Sequence, residues 1–556
     1  MVENWITIWL DHRSDLTVVG SDRTTHLALC KIDPYLITFR NSNECIDYTS
    51  ELQPDENKVI LIISSDSYPD ILLKITEELS QIDSIYVLYS NETDHQTFEN
   101  LSKIHAIYTD LEALCSQLRL LPNIKRNRRQ SFLDDDFIIN SLPHISDSTA
   151  FGINDTIQLP LSPSTDSTKR QEAEFMYGQF LRDILVTLES TEEEMIDFCR
   201  HKFAGNQAEL NVVDEFQEYY DACNAIFWYT RDTFLYRLLN KALREQDVDT
   251  LYSLRYFIKD LHLQLTERHT SQQQTTSNIS NTAAQTIETV YRGQLMNSKE
   301  FDKKVRNNTN GFFSVSSFLS TTAHKELAIV YAGGSNSNGD PTVQRVLFQI
   351  DIDKSVNKFP YANISTVSAF DEAESEILFT MGSVFRVQEV QLNSQGIWVV
   401  NLSLTGEEDE ELKTLSEHMK KDIIVSNPRV SLAKLMMEIA NYEKAEQFHL
   451  LLLQDLTLIE DSKVYSTIYN SLGLIYREMG QHTKAIDHYE KSLEIRLKHL
   501  SETDHSFAPT YNNMGLVYRD RGDYEKALSY FHKALEIELN APDSDRRKTA
   551  TYYNNI

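Results

Sequence analysis

The chain has 556 residues, 41% of them hydrophobic and 10% aromatic, enough for several domains with ordinary cores. Its 83 acidic against 53 basic residues leave a net charge of −30, which repels phosphate backbones and makes nucleic acid a poor partner. Five cysteines, Cys30, Cys45, Cys115, Cys199 and Cys223, are scattered with no Cys-x-x-Cys pair, so neither a disulfide framework nor a zinc site is expected.

The opening Met1-Val2-Glu3-Asn4-Trp5 has no basic flank and no apolar core, so no signal peptide is read there. No run of about 18 apolar residues occurs, so no membrane partner is expected. With unpaired cysteines, this predicts a cytoplasmic protein. Residues 1–120 hold four apolar runs: Trp5–Leu10, Lys58–Ile63, Ser84–Tyr89 and Ile104–Tyr108. Amphipathic stretches such as Tyr68–Ser80 separate them, and that alternation predicts a parallel, doubly wound α/β sheet. The pattern is similar to receiver-like or TIR-like domains, a likeness that carries no function. Asp11, Ser64, Ser65, Asp66 and Ser90 follow strand ends, where such sheets bind ligands. No Gly-rich phosphate loop accompanies them, so a regulatory or partner-binding unit is the preferred reading.

Residues 121–169 read as a linker, dominated later by Ser, Thr, Asp and Pro. Its basic cluster Lys125-Arg126-Asn127-Arg128-Arg129 is either an import or anionic-lipid signal or a solvated segment. Residues 170–268 read as helical. Phe227, Phe234, Leu238 and Ala242 recur on one helix face, and no Pro or Gly interrupts Asp221–Arg244. Residues 269–286, rich in Gln, Ser, Thr and Asn, predict a polar loop.

Residues 287–405 turn β-rich. Val346, Phe348, Ile350 and Ile352 alternate, as do Trp398, Val400, Leu402 and Leu404. A helix is expected over Ala323–Ala332, a flexible loop over Gly333–Gly339, and an acidic joint over Thr405–Glu411. Three motifs in this region carry chemistry. Tyr291-Arg292-Gly293 comes first, then Ser320-Thr321-Thr322, then Glu374-Ser375-Glu376 followed by Ile377-Leu378-Phe379. Two carboxylates at i and i+2 share one side of an extended segment. A core has no use for such a pair, so it calls for a ligand. The structural alternatives are a strand-end arginine, an ordinary helix cap at Ser320–Thr322, and solvated acids.

Residues 430–556 carry an internal repeat. Tyr469-Asn470-Ser471-Leu472-Gly473 returns as Tyr511-Asn512-Asn513-Met514-Gly515, and again as Tyr553-Asn554-Asn555-Ile556, at a period of 42 residues. Each full unit continues to Tyr476 or Tyr518, then to Ala485 and Tyr489 or Ala527 and Phe531. This resembles the tetratricopeptide helix–turn–helix, in the long-period form of kinesin light chains. Ala440–Ala445 resembles a degenerate earlier unit. The pattern stops inside a repeat, which predicts a longer parent chain. Stacked units imply a groove for a peptide or protein ligand, with Asn470, Asn512 and Arg519 expected to line it.

The three central motifs, in this order, resemble the Arg-Ser-Glu class of mono-ADP-ribosyltransferases over roughly residues 170–405. Thr322 stands where that family has a second serine. The Glu-(Ile/Val)-Leu ending aligns Glu376 with the family's catalytic glutamate and Glu374 with the first acid of arginine-modifying members. The resemblance implies a multidomain chain: an N-terminal α/β parallel-sheet unit, a central α+β ADP-ribosyltransferase fold with a helical lead-in, and an all-α tetratricopeptide solenoid. It implies NAD or NADP as substrate, with no metal. Arg292 and Gly293 would hold the dinucleotide, and Ser320 and Thr321 would hold the ribose and orient Glu376. Glu374 would receive an arginine of an acceptor protein. An NAD glycohydrolase and a non-catalytic, repeat-based adaptor remain as alternatives.

Overall fold

The computed structural model describes residues 4–12, 21–54, 57–65, 79–89, 103–121, 139–142, 164–231, 233–279, 287–333, 342–353, 359–369, 375–406, 409–425, 427–454, 462–501, 504–541 and 546–556. Two compact units divide the chain. One comprises Met1–Ile145 and Glu189–Gly406; the other comprises Ser146–Leu188 and Glu407–Ile556.

The first unit opens with strands β1 (Asn4–His12), β2 (Ile37–Phe39), β3 (Asn57–Ser65), β4 (Ile82–Tyr89) and β5 (Ile104–Tyr108). They form a parallel sheet in the order β2-β1-β3-β4-β5. Helices α1 (Ser21–Cys30), α2 (Ser42–Glu51) and α3 (Leu111–Leu120) belong to it. Both faces are covered: Ile8, Leu10, Leu61 and Ile63 are buried on one side, Trp9, Ile60 and Ile62 on the other. That two-sided burial explains why the strands read as continuous apolar runs. All four expected strands are present. The three-residue β2 is too short to show a period. Asn41 and Asp110 cap α2 and α3, each accepting a bond from a first-turn amide. Of the strand-end residues, Asp11 is buried and Ser64 accepts a bond from Trp9 Nε1 at 2.8 Å. Asp66, Ser90 and the cluster at 125–129 lie outside the described residues.

Strand β6 (Ile139–Leu142) comes from the stretch read as linker and joins the second sheet of this unit. A helical layer follows: α4 (Glu192–Lys202), α5 (Gln207–Tyr219), α6 (Ala225–Thr230), α7 (Phe234–Glu245), α8 (Val248–Ser253) and α9 (Arg255–Ile279). Thr191, Asn206 and Asp247 cap three of them through their side chains. Phe227, Phe234, Leu238 and Ala242 are buried as their spacing predicts. Their helix is not continuous, however. Arg231 turns extended, and α7 restarts after Thr233. A second departure is α9, which runs to Ile279 where a polar loop was expected. Its polar residues have tertiary partners. His269 Nδ1 bonds to Tyr361 O at 2.8 Å, and Gln272 exchanges two bonds with the Asn363 backbone.

The remaining strands are β7 (Ile287–Asn297), β8 (Phe312–Val315), β9 (Leu319–Thr322), β10 (Val343–Asp353), β11 (Tyr361–Asn363), β12 (Glu376–Phe379), β13 (Val384–Leu392) and β14 (Trp398–Leu404). With β6 they form a nine-stranded mixed sheet in the order β11-β12-β9-β7-β10-β14-β13-β8-β6. Val346, Phe348, Ile350 and Ile352 are buried, as are Val400, Leu402 and Leu404. Leu347 is buried too, beneath Ala328 of helix α10 (Lys325–Tyr331). Strands β7 and β9 meet at a single pair, Tyr291 opposite Thr322. Beyond that pair the two strands part. Residues 334–339 of the expected glycine-rich loop lie outside the described residues.

The second unit is helical. Helix Ser164–Thr187 packs against Pro428–Glu438, so it keeps company with the C-terminal helices. The boundary drawn from sequence at residue 170 falls inside it. Helical hairpins Ser462–Glu478/His482–Leu497 and Ala508–Asp520/Tyr524–Leu539 follow the 42-residue period. A Cβ on Gly473 would meet the Tyr489 ring at 2.5 Å, and one on Gly515 would meet the Phe531 ring at 2.5 Å. Both glycines let paired helices approach. Among the described residues, no helix is long and apolar enough to cross a membrane.

Candidate active site

Where β7 and β9 part, a cleft of about 320 Å³ opens. It is lined by Tyr291, Arg292, Ser320, Thr321, Thr322, Leu327, Tyr331 and Glu376. Ser320-Thr321-Thr322 is a strand, not a helix cap, because β9 pairs antiparallel with β12. Glu376 stands opposite Thr322, and Ser320 lies two residues along on the same face. The diagonal between them is closed by Ser320 Oγ donating to Glu376 Oε1 at 2.6 Å. Thr321 points the other way and donates to Ile377 O at 2.8 Å, locking the two strands together. Thr322 Oγ1 accepts from His324 N at 3.1 Å and starts the turn into α10.

Glu376 is 5% exposed. Ser375, just before it, has φ of 42°, a left-handed conformation uncommon for a residue with a side chain. Such strain persists where surrounding structure fixes the chain, as at functional sites. Here the fixing bonds are Ala323 N to Ser375 O at 3.3 Å and Ile364 N to Glu376 O at 2.9 Å. The second carboxylate oxygen is also held: Ser368 Oγ donates to Oε2 at 3.2 Å.

The structure thus brings Arg292, Ser320, Thr321 and Glu376 together around one cleft. Arg292 is half-buried there. Glu374 lies outside the described residues. Gly293 does not line the cleft. A Cβ on it would sit 1.7 Å from Ala328 O and 2.7 Å from Ala332 N, so the missing side chain lets α10 lie on β7. Those neighbours are backbone and cannot swing away. Gly293→Ala is expected to push α10 outward, carrying Leu327 and Tyr331 with it, and to destabilise by about 1–3 kcal/mol. Thermal melting checks this, and a melting temperature equal to wild type would refute the packing role.

Sequence reasoning missed Ser368, Leu327 and Tyr331. The last two are four residues apart on one face of a helix that follows Ser-Thr-Thr, a signal that was available. A serine eight residues before an acid has no such signal.

A second polar cluster is buried within the first unit. His26 Nε2 and Glu215 Oε1 are 2.5 Å apart, and Arg231 Nη1 donates to the same oxygen at 2.8 Å. Arg231 also donates to Pro34 O at 2.7 Å and Leu36 O at 3.0 Å. His26 stacks on Tyr219 with ring centroids 4.2 Å apart, and Trp228 flanks it. Burial alone would raise the Glu215 carboxyl, but Arg231 and His26 outweigh it and hold it at about 2. Burial pushes the His26 imidazole below its usual range and the Cys30 thiol above its own. His26, Cys30 and Glu215 lie close enough to share a cation. The Arg231 guanidinium already holds that place, and a protonated thiol is a poor ligand. The cluster is an ion pair.

Residues 426–498 and 506–556 match the tetratricopeptide repeat family. The C-terminal region is a tetratricopeptide repeat array. No curated protein matches the chain. Among solved structures, BtubC (BKLC) from P. vanneervenii is similar at 26% identity and a TM-score of 0.22, over 26% of this chain. The chain spans 59% of that protein's length. HopU1, an ADP-ribosyltransferase of Pseudomonas syringae pv. tomato, is similar at 22% identity over 44% of this chain and 98% of its own, with a TM-score of 0.23. The Vis toxin, an ADP-ribosyltransferase from Vibrio splendidus, is similar at 16% identity over 41% and 92%, with a TM-score of 0.23. At these scores the likeness carries no functional assignment.

Within the tetratricopeptide array, Asn470 Oδ1 accepts from Thr510 at 3.0 Å and Asn512 Oδ1 accepts from Asn555 at 2.7 Å. These bonds tie successive repeats together, and Asn512 is 7% exposed. The two asparagines are therefore rungs of the stack, contrary to the expectation that they face a ligand. Arg519 is exposed and paired with Asp520.

Proposed function

We propose that the chain transfers ADP-ribose from NAD to an arginine of a protein acceptor and releases nicotinamide. The observation that carries this reading is the hydrogen bond from Ser320 to Glu376, set in a cleft that also presents Arg292. The C1′–nicotinamide bond breaks ahead of attack, and its electron pair leaves with nicotinamide. Positive charge then develops on the ribose. The Glu376 carboxylate, aimed by Ser320, is placed to bind the ribose 2′-hydroxyl and stabilise that charge. Arg292 supplies the planar fork that suits a phosphate. Lys325, 5.7 Å above the Tyr291 ring, adds a second cation beside the cleft. Tyr291 and Tyr331 offer flat surfaces to the nicotinamide ring. The new bond forms between C1′ and a guanidino nitrogen, whose proton passes to Glu374. NADP would enter by the same contacts. The tetratricopeptide repeats supply the protein-binding surface that brings acceptors in.

The test is labelled NAD with agmatine as a soluble guanidino acceptor. Wild type is expected to label agmatine and release nicotinamide. Glu374→Gln is expected to lose agmatine labelling at least tenfold while still hydrolysing NAD, because Glu374 serves the acceptor and Glu376 the ribose. Equal loss of both activities would undo that division. Hydrolysis in wild type without any agmatine labelling would favour a glycohydrolase.

A further inference from the structure

Glu376 is gripped from two sides, and only one of those sides faces the cleft. Ser320 lines the cleft, whereas Ser368 does not and is 4% exposed. Ser368 Oγ reaches Glu376 Oε2 from within the protein. Resting on the transferase reading above, we propose that Ser368 is a positioning residue that fixes the plane of the Glu376 carboxylate throughout turnover.

The segment that carries Ser368 is built to hold it still. Val367 N and Ser368 N both donate to Ile364 O, at 2.9 and 2.8 Å, closing a tight turn. One end of this turn is tied to Glu376 itself, through Ile364 N to Glu376 O. The other end is tied to the helical layer, where Ala369 N donates to Thr230 Oγ1 at 2.8 Å in a buried bond. Thr230 ends α6 and donates in turn to Ile226 O and Phe227 O. Arg231, the next residue, is anchored by Glu215 and the carbonyls of Pro34 and Leu36. A frame of named bonds thus runs from the segment before β2 to the carboxylate.

The chemistry asks for such a hold. A carboxylate has two oxygens and turns about its Cγ–Cδ bond. Ser320 alone fixes one oxygen and leaves rotation about that contact. A donor on the second oxygen fixes the plane, so a lone pair stays aimed at the ribose 2′-hydroxyl. Preorganised groups of this kind lower the barrier because they need not move in the reaction. Ser320 stands where substrate arrives, while Ser368 stands behind and is not displaced. Its loss is therefore expected in kcat, not in KM.

The experiment uses the full chain and measures nicotinamide release from NAD. Ser368→Ala is expected to lower kcat about tenfold with KM within about twofold, the usual scale for one hydrogen bond to a charged group. Ser368→Cys keeps the volume but weakens the donor, and is expected to fall with it. Ser368→Thr keeps the hydroxyl and is expected to recover most of the rate. Matched melting temperatures for Cys and wild type would show that the loss is not unfolding. Wild-type kcat in both Ala and Cys variants would overturn the proposal while Glu376→Gln remained dead. A wild-type chain that consumed no NAD would overturn the transferase reading and this proposal together. A variant series in which KM rose while kcat held would place Ser368 on the substrate instead.

Discussion

Glu376→Gln is expected to reduce nicotinamide release from NAD by about 10²–10³-fold or more, the scale of removing one preorganised electrostatic contact in an active site. The change is nearly isosteric, removes the charge and replaces one acceptor oxygen with an amide donor. The amide oxygen still accepts from one serine, but the amide nitrogen cannot accept from the other. One of the bonds at 2.6 and 3.2 Å is therefore lost. The fold is expected to survive, because a neutral group at 5% exposure is cheaper to bury than a carboxylate. The measurement is single-turnover nicotinamide release on protein with a wild-type melting curve. Turnover within a few-fold of wild type would remove Glu376 from the catalytic role and the transferase reading with it.

Arg231→Ala is expected to destabilise the first unit by about 3–5 kcal/mol, the cost of breaking a buried ion pair from one side. Arg231 is 3% exposed and Glu215 is 8% exposed, so neither charge has water to fall back on. Without the guanidinium, Glu215 keeps only a largely neutral histidine, and two carbonyls of the sheet unit lose their donor. The double change Arg231→Met with Glu215→Leu is expected to cost much less, since it removes both charges and leaves none stranded. Denaturant unfolding of wild type, Arg231→Met, Glu215→Leu and the double variant forms the cycle. A double-variant loss equal to the sum of the two single losses would show that the pair is not coupled. The same pair gives an acid limit. The Glu215 carboxyl is held below its ordinary value near 4.5, so its contribution is complete above that pH. It is lost as the pH falls from about 4.5 toward 2.

The sequence was most readable where a local rule applies. Glu376 could be placed because Ile377-Leu378-Phe379 anchors a strand, and the strand's register then puts Ser320 beside the acid. The 42-residue period fixed the helical hairpins for a similar reason: each glycine faces an aromatic ring one helix away. Long-range polar contacts were not readable. Arg231 meets Pro34 and Leu36 from 197 and 195 residues away, and no spacing rule reports that. The break it imposes between α6 and α7 was hidden for the same reason, since Asp221–Arg244 contains no helix breaker. The continuation of α9 to Ile279 was hidden by composition: glutamines and threonines read as loop until β11 supplies their partners. At Gly293 the structure adds a packing role that no spacing rule reports, since the missing Cβ lets α10 lie on β7.

Gly473 and Gly515 also bear on how such an array lengthens or shortens over evolutionary time. In each hairpin an aromatic ring takes the room of the absent Cβ, so ring thickness acts as a gauge for the gap between helices. Tyr489 and Phe531 have rings of the same size, so the gauge is the same in both units. The rungs keep one partner constant, the asparagine at the same place in each unit (Asn470, Asn512), and vary the other, Thr510 in one and Asn555 in the next. A unit copied or dropped at the 42-residue register therefore meets a neighbour of familiar shape. The ion pair at Arg231 has no such spare copies, and the region around it is correspondingly bound to change as one piece.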